Sequence, residues 1–104
     1  MSKIRIKESD VHHHLKTRMQ QRGISIEEIE VVINEGWNDD NAKEGTTGKI
    51  FVFPHNADWE GKHFGEKEVT VYYKHKGNEF VLLTAKARYG IDFPKGGKTN
   101  ENRI

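Results

Sequence analysis

A change in hydrophobic period partway along the chain most constrains the fold. Apolar residues recur at helical spacing up to about residue 36, and from about residue 49 they alternate at strand spacing. Helices followed by a run of strands are typical of an α+β fold. We therefore expect two N-terminal helices packed on a three- to four-stranded antiparallel sheet. The length of 104 residues predicts one such domain, over residues 1–94, and a disordered tail over residues 95–104.

Local signals predict where the two helices begin and end. Ser9 or Asp10 is suited to cap the first helix. Gly23 favours the left-handed conformation that ends a helix, so the first helix is predicted to stop just before it. A capping box of Ser25 and Glu28 predicts the start of the second helix, and the next glycine along the chain ends it.

The second part of the chain is rich in β-branched and aromatic residues, which favour strands. They predict strands at residues 49–53, 69–76 and 79–88. Gly77 and Asn78 predict a two-residue hairpin turn between the last two strands. A shorter strand is predicted near residues 41–44, and it would complete an antiparallel meander.

A polar segment at residues 54–68 separates two of these strands and is too long for a minimal turn. Among its side chains are Trp59, His63 and Phe64. We predict that this segment is either a mobile arm or an extended hairpin.

Charge and composition exclude several classes of site. The chain has 17 basic and 16 acidic residues, so any site for a polyanion must be a local cluster. It has no cysteine, which excludes disulfides, thiolate zinc sites and cysteine nucleophiles and suits the cytoplasm, where we expect the protein. No stretch resembles a signal peptide or a membrane span, so no membrane partner is expected.

Three basic residues follow one face of the first predicted helix. His14, Arg18 and Arg22 recur every four residues beside the apolar stripe. One interpretation is that their stems pack on the protein while their charged ends pair with acidic neighbours such as Glu27 or Glu28. The other is that they reach a groove where a ligand binds.

Alternation along the last predicted strand separates a core face from an open face. The predicted core residues are Val81, Leu83, Ala85 and Ala87. The predicted open-face residues are Phe80, Leu82, Thr84, Lys86 and Arg88, joined from the preceding strand by Thr70, Tyr72 and Lys74. Such a face is either an ordinary solvated sheet surface or a site for single-stranded RNA, where cations contact phosphate and tyrosine stacks on a base.

Motifs for other chemistry are missing from the sequence. It contains no glycine-rich phosphate loop, no nucleophile elbow and no HExxH zinc motif, so neither a cofactor nor a metal site is expected. The groups that remain are histidine for proton transfer and Arg or Lys to stabilise a phosphorane. These are the groups that a metal-independent ribonuclease uses.

Residues 14–33, HLKTRMQQRGISIEEIEVVI, resemble the opening of a bacterial and phage family known as domain of unknown function 4258. The pattern of that family is His, Arg-Met four residues later, then Arg-Gly-Ile-Ser and an acidic helix. His14, Arg18, Met19 and residues 22–25 stand at the corresponding positions of this chain. The later segment EVTVYYK resembles the family's TVY strand. The resemblance implies a two-helix and antiparallel-sheet fold similar to small ribonuclease toxins, with His14 and Arg18 as site residues.

Two hypotheses about function follow. The first is a toxin-like ribonuclease or RNA-binding protein, with RNA and an antitoxin as partners. Its candidate catalytic residues are His14, Arg18, Lys86 and Arg88, and its candidate RNA-binding residues are Arg22, Tyr72, Lys74 and Thr84. The second is a noncatalytic interaction module that presents a sheet edge, or the aromatic segment around Trp59, to a protein partner.

Overall fold

The computed structural model describes residues 4–77 and 79–96. A 3-10 turn at Glu8–Asp10 precedes two helices, α1 (His13–Arg22) and α2 (Ile26–Glu35). Four strands follow: β1 (Trp37–Asn38), β2 (Thr47–Trp59), β3 (Lys62–Lys76) and β4 (Glu79–Gly90). They form one antiparallel sheet in the order β1-β2-β3-β4. The predicted α+β fold, with two N-terminal helices on an antiparallel meander, is confirmed.

The start of α1 differs from the prediction. Ser9 and Asp10 lie in the 3-10 turn, where the Asp10 carboxylate accepts a hydrogen bond of 2.8 Å from the Lys7 backbone N–H. The helix is capped instead by His12, whose Nδ1 accepts from the Leu15 backbone N–H at 3.3 Å. Asp10 therefore stabilises the 3-10 turn and does not cap the helix, because its side chain accepts a hydrogen bond from a residue that precedes it in the chain.

The other helix boundaries agree with the prediction. Gly23 ends α1 with a left-handed φ of 71°. Ser25 and Glu28 form a reciprocal capping box, with side-chain to backbone hydrogen bonds of 3.0 and 3.1 Å. Gly36 follows the last residue of α2. These boundaries depend on local chemistry, so the sequence alone was sufficient to find them.

The strand predicted at residues 41–44 is wrong. The first strand is β1, earlier in the chain, and the segment after it is a loop closed by its own hydrogen bonds. Asp39 accepts from the backbone N–H of Asn41 through its side chain, and the backbone N–H of Thr46 donates to the Lys43 carbonyl. Short polar side chains that bond to neighbouring backbone groups favour a turn over a strand.

The polar segment at residues 54–68 is an extended hairpin, one of the two predicted forms. It continues β2 and β3 outward to a reverse turn in which Glu60 and Gly61 both have positive φ, 52° and 82°. Turns of this hand match the twist of the flanking strands. The predicted hairpin of the last two strands is also present, since Lys76 of β3 pairs with Glu79 of β4.

Both helices pack on one face of the sheet, α1 against β4 and α2 against β2 and β3. The strictly alternating core predicted for β4 is wrong in its first half. Tyr73 pairs with Leu82 while Tyr72 pairs with Thr84, so Leu83 is the extra residue of a β-bulge. Leu82 is buried in the core and Val81 is not, whereas Ala85 is buried as predicted.

The chain after β4 turns back on the sheet. The Glu66 carboxylate accepts from the Phe93 backbone N–H at 3.0 Å and pairs with the Lys95 ammonium at 2.8 Å. Most of the segment predicted to be disordered, residues 95–104, lies outside the described residues. Within residues 4–77 and 79–96, no helix is both long enough and apolar enough to cross a membrane.

Candidate functional site

The open face of the sheet, opposite the helices, brings the sequence-predicted residues of β3 and β4 side by side. The bulge sets this register, and it pairs Tyr72 with Thr84, Thr70 with Lys86 and Glu68 with Arg88. Side chains of directly opposed residues are close neighbours on one face. The predicted grouping is therefore present for these residues, and Lys74 lies farther along β3, opposite Val81. Phe80 and Leu82, also predicted for this face, instead pack against or in the core.

The predicted residues of α1 approach the same region from the side. β4 is an edge strand, and α1 packs against it. His14 and Arg18, both exposed, line a cavity between helix and strand, and Leu83 and Thr84 form its opposite wall. The structure thus brings the histidine and an arginine of the helix to the edge of the open face.

Arg22 connects the helix to the strand directly. Its Nη1 donates a hydrogen bond of 2.6 Å to the carbonyl of Ala85, a β4 carbonyl at the sheet edge. The Tyr89 hydroxyl donates in turn to the Arg22 carbonyl at 2.7 Å. Glu28, one of the acidic partners considered for the basic residues of α1, bonds instead to Lys67.

Three adjoining cavities follow the β4 edge. The first is the cavity beside His14, the second lies between the loop at residues 39–46 and the open face, and the third lies beside Arg22. Leu83 and Thr84 line the first two cavities, and Lys86 lines the second and third. We call this continuous surface the β4 strip, and it consists of His14, Arg18, Arg22, Leu83, Thr84 and Lys86.

Lys86 is the cation of the open face most available to a ligand. It is exposed, and in the part of the chain that the structure describes no carboxylate lies within 4.0 Å of its ammonium. Its Nζ lies 5.3 Å from the centre of the Tyr72 ring. The Tyr72 hydroxyl donates to Asp39 at 2.6 Å, and burial, with help from this carboxylate, raises the Tyr72 pKa to about 12.

Arg88, a predicted catalytic residue, has partners of its own. Its Nε lies 2.8 Å from a Glu68 carboxylate oxygen, and its guanidinium lies 4.9 Å from the centre of the Phe93 ring. The Glu68 carboxylate raises the pKa of Arg88, although that side chain is charged in any case. Since Glu68 offsets its charge, Arg88 is less available to an anion than Lys86.

A buried ion pair that the sequence analysis did not single out holds the corner between the helices. Lys67 is 5% exposed, and its Nζ lies 2.8 and 3.0 Å from the two Glu28 carboxylate oxygens and also donates to the Gly23 carbonyl. The signal was present, because Lys67 alternates in phase with the core residues Val69 and Val71. This pair fixes the chain just after Arg22.

The aromatic residues of the extended hairpin fold back on the domain. Trp59 stacks on Tyr89, with ring centres 4.7 Å apart, and Phe64 lies 5.8 Å from the same ring. His63 is exposed and lies 3.4 Å from an Asp58 carboxylate oxygen. Trp59 therefore packs on the domain and contributes to the stability of the fold.

Neither a metal centre nor a relative identifies the site. Across residues 4–77 and 79–96, no three His, Asp or Glu side chains are grouped so that they could hold a metal ion. A scan against protein-family models, a search of curated proteins and a search of solved structures each found no match. The β4 strip is therefore the feature of the molecule that indicates a function.

Proposed function

We propose that this protein binds single-stranded RNA along the β4 strip and cleaves it without a metal ion. The observation that carries the proposal is the convergence of a histidine, two arginines and an exposed lysine on three adjoining cavities at one strand edge. Several cations beside adjoining cavities suit a phosphate backbone, even though the net charge of the chain is only +1.

Apolar and aromatic groups among the cations favour single strands over a duplex. Leu83 and Tyr72 line the same cavity as Lys86. In a duplex the bases are stacked inside the helix, where such groups cannot reach them, whereas single-stranded bases are free to contact side chains. Contact with bases would add affinity to the phosphate contacts.

The proposed cleavage uses the ribose 2′-hydroxyl as the nucleophile. His14 accepts the proton of that hydroxyl while its oxygen attacks the adjacent phosphorus, and Arg18 stabilises the negative charge of the phosphorane. The bond to the 5′-oxygen breaks, that oxygen takes up a proton from solvent, and His14 releases the proton it accepted back to solvent. The products are a 2′,3′-cyclic phosphate and a 5′-hydroxyl end. One helical turn separates His14 and Arg18, and they line one cavity, as joint action on one phosphate requires.

A cleavage assay in EDTA with end-labelled single-stranded RNA tests this proposal. His14→Ala is expected to lower the cleavage rate by about a hundredfold or more and to leave RNA affinity within about threefold. His13→Ala is the matched control, because His13 is also exposed on α1 but does not line the cavity with His14 and Arg18. Equal activity in both variants would contradict the role of His14, and a folded wild type that binds no RNA would contradict the whole proposal.

The proposal extends to a cellular role through the resemblance of residues 14–33 to domain of unknown function 4258, which implies a fold similar to that of small ribonuclease toxins. We propose a toxin-like activity in the bacterial or phage-infected cytoplasm, held in check by an antitoxin protein. Expression from a tight inducible promoter should arrest growth and degrade cellular RNA, and His14→Ala should do neither. Normal growth and intact RNA with folded wild-type protein would contradict this role.

A further inference from the structure

We propose that the second cavity of the β4 strip, between the loop at residues 39–46 and the open face, is a subsite for one nucleobase of the bound RNA. This inference rests on the proposed RNA binding and adds a specific ligand contact to it. The cavity is lined by Asn41, Lys43, Thr46, Tyr72, Leu83, Thr84 and Lys86. The lining combines an aliphatic side chain and an aromatic ring with two lysines, a combination that suits a stacked base flanked by phosphates.

The β-bulge explains why an aliphatic side chain lines this cavity. Leu83 is the extra residue of β4, while its neighbour Leu82 takes the core position opposite Tyr73. Leu83 is therefore not needed in the core, and it separates the second cavity from the one that His14 and Arg18 line. A base seated on Leu83 belongs to a nucleotide next to the phosphate that His14 and Arg18 hold.

Tyr72 is held in place before any ligand arrives. Its hydroxyl is bonded to Asp39, and its ring covers Gly48 so closely that a Cβ atom there would come within 2.8 Å of Tyr72 Cε1. The contact of the ring with Lys86 is an exposed cation–π contact, which is weaker than the stacking of a base on an aromatic ring. A base can therefore displace the Lys86 ammonium, which then turns to a phosphate.

The loop at residues 39–46 supplies polar groups that can read the edge of the base. It is closed by hydrogen bonds from the Asn41 backbone N–H to Asp39 at 3.0 Å and from the Thr46 hydroxyl to the Lys43 carbonyl at 2.6 Å. Among the described residues, no hydrogen bond involves the side-chain amide of Asn41, which is exposed at the cavity. That amide can donate to and accept from a base edge.

The test compares the affinity of the protein for two oligonucleotides of equal length, one carrying bases and one abasic. Both carry 2′-O-methyl groups, which prevent cleavage by the 2′-oxygen. Wild-type protein should bind the base-bearing strand about ten- to a hundredfold more tightly, as expected for stacking of one base. Leu83→Ala and Tyr72→Ala should each remove most of this difference, while Lys86→Ala should weaken both strands alike.

Asn41→Ala provides a second test that does not disturb the sheet. It should reduce the differences in affinity among the four homopolymers and leave the abasic strand unaffected. If folded wild-type protein binds both strands equally, the base subsite is wrong and RNA binding by the β4 strip stands. If it binds neither strand, RNA binding fails as well, so the two failures are distinguishable.

Discussion

The guanidinium of Arg22 donates a hydrogen bond of 2.6 Å to the backbone carbonyl of Ala85. This bond joins the last turn of α1 to the edge strand of the sheet, and so it holds the helix that carries His14 and Arg18 against β4. The geometry of the β4 strip depends on this connection. A chain in which it is broken should lose stability as well as affinity for RNA.

Replacing Arg22 tests this connection. Arg22→Gln should lower the free energy of unfolding by about 1.5–3 kcal/mol, because a hydrogen bond from a charged donor is lost at a partly buried site. Arg18→Gln is the control and should change it by less than about 0.5 kcal/mol, since Arg18 is exposed. Urea unfolding measures both changes. If Arg22→Gln lowers the free energy of unfolding no more than Arg18→Gln does, the hydrogen bond does not hold α1 against β4.

The buried pair of Lys67 and Glu28 predicts that losses of stability from substitutions at the two positions are not additive. Glu28→Gln should destabilise the protein by about 3 kcal/mol, because it leaves the Lys67 ammonium, whose side chain is 7% exposed, without an anion. Lys67→Met should cost less, since Glu28 is 25% exposed and keeps its bond to the Ser25 backbone. A double-mutant cycle in urea should give a double variant less destabilised than the sum. Additive losses would contradict the coupling.

All three tyrosines should titrate late in the folded protein. Burial raises the pKa of Tyr73, and burial together with nearby carboxylates raises the pKa of Tyr72 and of Tyr89 to about 12. A tyrosine whose pKa is higher in the folded protein than in the unfolded chain stabilises the fold. This contribution is fully present below the unfolded pKa of about 10 and is lost as the pH rises from about 10 to about 12. The tyrosinate absorbance of Tyr72 and Tyr89 should therefore rise near pH 12 in native protein and near pH 10 in urea, and that of Tyr73 should rise at a higher pH in native protein than in urea. A native tyrosine that titrates near pH 10 would contradict this environment.

A glycine at the end of α2 marks the closest approach of helix and sheet. A Cβ at Gly36 would lie 2.5 Å from the Ile50 carbonyl oxygen and also collide with the Val32 carbonyl, and neither backbone group can move easily. Gly36→Ala should destabilise the protein by about 2–3 kcal/mol. Gly65→Ala is the control, because its nearest neighbour atom is 3.6 Å away, and it should lie within about 0.5 kcal/mol of wild type. Equal melting temperatures for the two variants would contradict the tight packing.

The sequence predicts those parts of the fold that depend on neighbouring residues. The capping box of Ser25 and Glu28 and the glycine stop after α1 involve groups a few residues apart, and both predictions are confirmed. The strand predicted at residues 41–44 failed because Asp39, just outside that segment, accepts a hydrogen bond from within it. The correct first strand is only two residues long and depends on pairing with β2, which local pattern does not reveal.

The open face shows where sequence reasoning reaches its limit. A two-residue turn at 77–78 with strict alternation would place Tyr72 opposite Leu83 and Thr84 opposite Val71. The bulge at Leu83 shifts the register by one residue, which brings Thr84 and Lys86 opposite Tyr72 and Thr70. The open-face prediction for β4 was thus correct for Thr84, Lys86 and Arg88, and it was wrong for Phe80 and Leu82, which pack against or in the core. The same shift places Arg88 opposite Glu68, with which it forms an ion pair that the sequence pattern did not predict.

The most direct test of RNA binding by the β4 strip compares two charge reversals in one binding experiment. Lys86 lies on the strip, and Lys16 is exposed on α1 but lines none of its three cavities. Binding of a 2′-O-methyl single strand, followed by fluorescence anisotropy at fixed salt, should weaken about tenfold or more for Lys86→Glu and by less than about threefold for Lys16→Glu. Equal weakening by the two variants, or no binding by the folded wild type, would contradict the account.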